Sequence, residues 1–426
     1  MVACTGLTWL SQSPLVPQSQ FMFFIALAWS ALISALFLSR SQPQQQPPPW
    51  RLIMGYALFA RAICCLALPI YEDDGARYLW DGWMTITARD PYALPPAHWF
   101  TAGGLPIWTG PVLDTINHPD LPTIYGPGCQ LGFMLAACLK AGSWWAWKVI
   151  LGGAELATLC LVSRKFPPHA ILVYAWCPLG LCETWINGHP DALAVLPLTA
   201  AFIIFHSRPW LAGTLLGIAL ATRLHLVPIA LVFVVLGGWR IGFTAGLAVI
   251  SLYLPFMVMG SDPGLHTTMI MAATWEFNSF LPAILRPWCG VHTVPIANVV
   301  SMCGTVAIVI LCRQRKTQLA DTVLVTTCWW LFCALVVNPW YVVALLPFAA
   351  YRLQPWVLGI MAALPLSYVR GITTADGVLL PFDHAWWIRP GEVAIAIGLG
   401  LLLARALVGG RPDERNPPMT QFSVLN

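Results

Sequence analysis

Charge is scarce in this chain. Asp, Glu, Lys and Arg together make up 9% of its 426 residues, against roughly 25% in an average soluble domain. Apolar residues make up 58%, and the mean hydropathy is +0.71. One water-facing core cannot hide that much apolar surface, whereas a bilayer acts as its solvent. No basic run and no RNA-binding pattern occurs, so the net charge of +4 gives no reason to expect nucleic acid as a partner. No CxxC is present, and nothing has zinc-ligand spacing. The cysteines fall mostly inside apolar stretches (Cys64-Cys65, Cys129, Cys138, Cys160, Cys312, Cys328, Cys333), where they read as small buried hydrophobes. The N-terminus lacks the Lys/Arg of a signal peptide; the first positive charge is Arg40, beyond the first apolar run.

What the chain has in quantity fits a membrane. Its 22 Trp favour headgroup interfaces, and its 36 Pro are tolerated in membrane helices. A spanning helix needs about 20 apolar residues, and runs near that length recur. Candidate spans are 21–39, 51–70, 145–163, 169–185, 191–206, 210–222, 225–239, 241–259, 293–312, 321–337, 340–351, 355–370 and 391–409. The expected fold is therefore an all-α polytopic membrane protein with about 12–13 spans. The short runs 210–222 and 340–351 suggest broken helices, and 127–140 reads as a re-entrant or interfacial helix. A Gln/Pro-rich linker, SQPQQQPPP, follows the first helix and makes residues 1–50 look like an appendage. The main body is expected over 51–410, with a tail at 411–426.

Orientation follows the positive charges. Strict alternation collects Arg164-Lys165, Arg208, Arg240, Arg313-Arg315-Lys316, Arg352 and Arg411 on one side, taken as cytoplasmic. Most acids, from Glu72 to Glu392, then fall on the outer side, leaving Asp321, Asp413 and Glu414 inside and Glu155 within a helix. The positive-inside rule makes little claim on Asp and Glu, so their gathering calls for a reason of its own, and chemistry supplies one.

The first outer loop, 71–126, opens abruptly as YEDDGARYLWDGWMTITARDPYALPP. Three adjacent carboxylates, Glu72, Asp73 and Asp74, repel one another at a membrane rim, and desolvation raises at least one pKa. Such a group suits general-base work, and a run of acids also suits a divalent cation bound through oxygen. No other cofactor is called for. If the next segment is helical, Asp74, Arg77, Tyr78 and Asp81 share one face, leaving Leu79, Trp83 and Ile86 for the membrane interface. Further on, INHPDLPTIYGPG sets Asn117, His118 and Tyr125 between backbone-stiffening prolines. ETWINGHPDAL brings Glu183, Asn187, His189 and Asp191 to a helix junction. Arg223 and His225 interrupt LATRLHLVP, and a rim-level Arg is costly unless it is paired or meets an anion. WEFNSFLPAILRP, which contains Asn278, and NPWYVV add amides and aromatics; Trp275 and Trp340 taken singly read as interface anchors.

In series, EDDGARYLWDG, DPYALPP, INHPDLPTIYGPG, ETWINGHPDALAVLPL and NPWYVVALLP resemble the bacterial branch of the GT-C glycosyltransferase superfamily. The nearest similarity is to polyprenyl-phosphate-mannose-dependent mannosyltransferases. The resemblance runs in order from about residue 50 to about 350, and its most specific block is EDD…RYLWDG. It implies a GT-C-like fold with short helices in the first outer loop, a polyprenyl-phosphate-linked sugar donor, and a lipid or glycan acceptor at the outer face of a bacterial inner membrane. It also implies an inverting transfer with an acid of that loop as base. Asp74-Gly75-Ala76-Arg77-Tyr78 matches a D-x-x-R-Y spacing, which makes Asp74 the first base candidate and Asp73 the second. Arg77 and Arg223 are then candidates for the carrier's phosphate, and the other loop residues named above for donor or acceptor contacts. Gly126 stands where relatives often have a second Pro, and His189-Pro190-Asp191 replaces a more usual His-Asn-Asp. A transporter or flippase for a lipid-linked or polar solute is the alternative, resting mainly on mid-helix Glu155; a non-catalytic scaffold is a third.

Overall fold

The structure, a computed structural model, describes residues 1–13, 16–41, 50–87, 89–101, 103–260, 262–369, 374–375, 378–379 and 386–408. The expected acids Asp376, Asp383, Asp413 and Glu414, and Arg411, lie outside them.

The chain is helical almost throughout. A short helix α1 (Val2–Leu10) and α2 (Gln18–Ser41) precede α3 (Trp50–Cys65). The first loop carries α4 (Gly75–Ile86) and α5 (Thr109–Thr115). Then come α6 (Pro127–Lys140), α7 (Trp144–Lys165), α8 (Pro168–Trp176), α9 (Pro178–Leu181), α10 (Asp191–Ile204), α11 (Pro209–Thr222), α12 (Val227–Gly237) and α13 (Trp239–Val258). The last third holds α14 (Leu265–Thr274), α15 (Leu281–Cys289), α16 (Thr293–Gln314), α17 (Leu319–Cys333), α18 (Leu346–Arg352), α19 (Pro355–Ala363) and α20 (Ile388–Val408). The strand pairing among named elements is a two-residue ladder, Thr374–Ala375 against Val378–Leu379.

Among the described residues, four helices are long and apolar enough to cross a membrane: Gln18–Ser39, Trp144–Lys165, Trp239–Val258 and Leu281–Gln314. Several expected spans are shorter or broken, and proline explains most breaks. Span 169–185 divides at Cys177-Pro178 and continues as a π turn, Cys182–Ile186. Span 340–351 is a 3-10 segment, Pro339–Leu345, followed by α18.

The first helix is not an appendage. Phe21, Ile25, Trp29, Leu32 and Leu36 of α2 are buried in the same core as Leu172, Val173, Leu345 and Leu364. The Phe21 ring meets those of Tyr71 and Tyr368 edge-on, so α2 buttresses the start of the acidic loop.

Three buried charged side chains, Arg61, Glu155 and Lys148, tie α3 to α7 ahead of the loop. Glu155 of α7 is held bidentately by Arg61 of α3, at 2.8 Å from Nε and 2.6 Å from Nη2, and Arg61 also donates to the Ala175 carbonyl. The acid on which a transport reading leaned is thus neutralised in place. Lys148 Nζ donates to the carbonyls of Ala67 and Trp185 at 2.5 and 2.7 Å and to that of Cys65 at 3.1 Å. A cation there satisfies carbonyls left open where α3 ends and ties that end to the π turn.

Candidate active site

Asp74 stands at the N-cap of α4, where an Asp side chain ordinarily accepts from the first turn, but it makes no such cap. Its carboxylate is turned to the loop instead. Oδ2 accepts from the Tyr125 hydroxyl at 2.8 Å and from Tyr78 at 3.4 Å. Oδ1 accepts from Asn117 Nδ2 at 2.5 Å, and the same amide reaches Asp73 Oδ1 at 3.0 Å. The face expected from the spacing exists, since Arg77, Tyr78 and Asp81 are all buried along α4. Trp83, expected at the membrane interface, is instead packed with Trp80, Val112 and Leu113.

Arg77 is committed to the loop backbone. It donates to the carbonyls of Asn117 and His118 at 2.8 Å and of Leu121 at 3.1 Å. These bonds hold a segment in which His118 has φ +44, a left-handed conformation that costs a non-glycine residue of order 1–3 kcal/mol. Asp81 lies behind, accepting from Gln130 at 3.0 Å, and burial raises its pKa against the pull of Arg77.

A second layer comes from the 182–191 junction. The π turn lets the Asn187 amide reach the Cys182 carbonyl and sets Glu183, Asn187 and His189 in a buried row. Glu183 Oε2 accepts from Tyr368 at 3.0 Å and from Asn187 at 3.2 Å. His189 lies between acids, with Nδ1 2.9 Å from Glu183 and Nε2 3.3 Å from Glu72. Its ring stacks on Trp340. Burial pushes the Glu72 carboxyl up to about 8, opposed by His189. Burial alone would lower His189, but the two acids push it up to about 10. Asp73 is also raised, by burial and then by the charge of Asp74.

Across the cleft, Arg223 ion-pairs with Asp191 through Nη2 and sits 5.5 Å over the Tyr125 ring. Its Nε has no hydrogen-bond partner among the described residues. Gly126 and Gly128 make this approach possible, because a Cβ on either would collide with the Ala221 carbonyl or the Thr222 side chain of α11.

Glu72, Asp73, Asp74, Arg77, Asn117, His118, Tyr125 and Arg223 therefore line one polar cleft. Tyr78, Asp81, Glu183, Asn187, His189 and Asp191 support it from behind. Asn278 belongs to neither group: it is buried and donates to Glu392 at 2.9 Å, so its expected substrate contact is corrected. Trp275 and Trp340, expected as interface anchors, line the cleft, as do Tyr341 and Tyr368. Tyr341 lay within the NPWYVV block, but Tyr368 sits in an apolar run with no signal of its own. Behind the acidic turn is a second pocket of about 390 Å³, formed mainly by Pro69, Ala76, Leu79, Pro111, Val112 and Trp144. Glu72 and Asp73 border both spaces.

No family model, curated protein or solved structure matches the chain.

Proposed function

We propose that this chain is a membrane glycosyltransferase of GT-C type. It would move a hexose, mannose by the sequence resemblance, from a polyprenyl-phosphate carrier to a lipid or glycan acceptor at the outer face of a bacterial inner membrane. With it goes the polytopic arrangement of about 12–13 spans.

The observation that carries this reading is one side chain, Tyr125, with an acid at its hydroxyl and a cation over its ring. An inverting displacement needs a base for the incoming hydroxyl and positive charge for the departing phosphate. Arg223 supplies the charge and keeps its Nε for an anion oxygen, whereas the Arg77 guanidinium is occupied by three backbone carbonyls. For the base, the geometry favours Asp73 over Asp74. Both oxygens of Asp74 already accept hydrogen bonds, from Asn117, Tyr125 and Tyr78; Asp73 accepts one, on Oδ1, and borders both pockets. In the proposed step the acceptor O–H gives its proton to Asp73 and its oxygen attacks the anomeric carbon. The bond from that carbon to the phosphate oxygen breaks, and polyprenyl phosphate leaves with the electron pair beside Arg223. The apolar second pocket suits the non-reacting part of a lipid acceptor.

The test is a transfer assay with radiolabelled polyprenyl-phosphate hexoses and protein purified in lipid. Asp73→Asn and Asp74→Asn should both abolish transfer while the protein stays folded and inserted. Near-normal transfer by both would end the reading, and loss in Asp74→Asn alone would move the base to Asp74.

A further inference from the structure

We infer that Glu72, Asp74 and His189 form a binding site for one divalent transition-metal ion of the zinc class, with its open coordination position facing the cleft. One ligand atom from each of the three lies within 4.8 Å of the others. His189 Nε2 and Glu72 Oε2 are 3.3 Å apart. Two ligands on a tetrahedral ion with bonds of about 2.0–2.2 Å stand about 3.4 Å apart, so this edge of the site already has the required length.

The acids alone would not make a site; His189 does. Its residue is 1% exposed, and its ring plane is fixed by the stack on Trp340. Although carboxylates stand close to both ring nitrogens, neither contact has hydrogen-bond geometry, and both nitrogens are without such a partner among the described residues. A buried imidazole held in this way and aimed at two acids is arranged as a ligand. Glu183 Oε2, 2.9 Å from Nδ1, is placed to become the outer carboxylate of a metal-bound His189, leaving Nε2 for the ion. Asn117, Tyr78 and Tyr125 orient Asp74 in the same sense. A set of one imidazole nitrogen with two carboxylates suits zinc-like ions better than calcium or magnesium, which prefer all-oxygen shells. Glu72 and Asp74 both line the cleft, so the remaining position accepts an oxygen from solvent or from a bound substrate. Only the identity of that oxygen rests on the transferase reading.

The experiment uses the full chain in detergent or nanodiscs, stripped with a chelator, and needs no sugar donor. Zinc content is measured by mass spectrometry, and cobalt(II) is titrated while its visible d–d bands are followed. One ion per chain is expected, with the band intensity of low-coordinate cobalt. Glu72→Gln and His189→Gln should each abolish binding, and Glu183→Gln should weaken it about 10–100-fold. Circular dichroism identifies variants that remain folded, and Glu183→Gln gives a graded readout should a ligand variant fail to fold. Absence of bound ion from the folded wild type would overturn the site, as would unchanged affinity in the folded ligand variants. Because binding is read directly, either result leaves the transfer assay to decide the transferase reading separately.

Discussion

The imidazole of His189 lies nearly parallel to the indole of Trp340, with centroids 3.9 Å apart and planes 20° from each other. His225 repeats the relationship on the next residue, Tyr341, at 4.4 Å and 18°. The Asn338–Tyr341 segment thus presents two consecutive rings, each backing a histidine that faces a carboxylate. Trp340→Leu should lower kcat/KM for transfer clearly more than Trp340→Phe, which preserves a stacking face. Equal rates for the two would show that the stack is only packing.

Arg223 should matter through the donor. A charge-assisted hydrogen bond to an anion is worth about 1.5–3 kcal/mol, so Arg223→Ala should reduce kcat/KM about 10–100-fold. Arg223→Lys should recover part of that, as a point charge lacking the planar fork. Initial rates at varied donor concentration test this, and an unchanged kcat/KM in the alanine variant would remove Arg223 from the site.

The Arg61–Glu155 pair makes a prediction about stability. Its side chains are 3% and 7% exposed, so removing one partner strands a buried charge. Glu155→Leu or Arg61→Leu alone should cost about 3–5 kcal/mol, and the double replacement should recover most of it. Thermal unfolding in detergent reads the difference. A transporter that protonates Glu155 in its cycle would tolerate Glu155→Gln for folding and lose only function, which is the opposite pattern.

Asp81 sets a pH dependence. Burial raises its pKa in the folded loop above the ordinary 3.8, so the native state keeps a proton that the unfolded chain has already released. Its contribution is greatest below the unfolded value and is lost as pH rises through the folded one. Relative to wild type, Asp81→Asn should therefore gain melting temperature as pH rises from about 4 to about 8. Parallel melting curves for the two across that range would disprove the assignment.

Gly126→Ala should destabilise the loop and abolish transfer, because the added methyl meets the Ala221 backbone and no flexible side chain; overpacking of this kind costs about 1–3 kcal/mol or more. The wild-type melting temperature in the alanine variant would refute this.

These sites differ in how openly the sequence displayed them. The face from Asp74 to Asp81 was legible because helical spacing is local, and the acid run marked itself against a composition poor in charge. Glu155 stood out as a mid-helix acid, but its partner could not be named because Arg61 lies 94 residues away and no local pattern connects them. Asn278 misled for a similar reason: an amide among aromatics resembles a binding residue, yet its partner is Glu392, 114 residues on. His189 was visible as a polar residue at a helix junction. Its place between Glu72 and Glu183 depends on the π turn and on Trp340, neither of which follows from short-range periodicity. The broken spans were harder still, because an apolar run ending in proline reads alike whether the helix stops or merely bends.

The glycine contact at 126–128 has a mechanical consequence. Through that turn Tyr125 packs against the end of α11, so the acid at its hydroxyl and Arg223 over its ring sit on one closely packed wall of the cleft. The opposite wall is α14, which supplies Thr267 and Met271 and leaves Leu265 and Met269 exposed. On the proposed reading, a polyprenyl chain would therefore leave on the α14 side, away from the packed turn that holds Tyr125 beside Arg223.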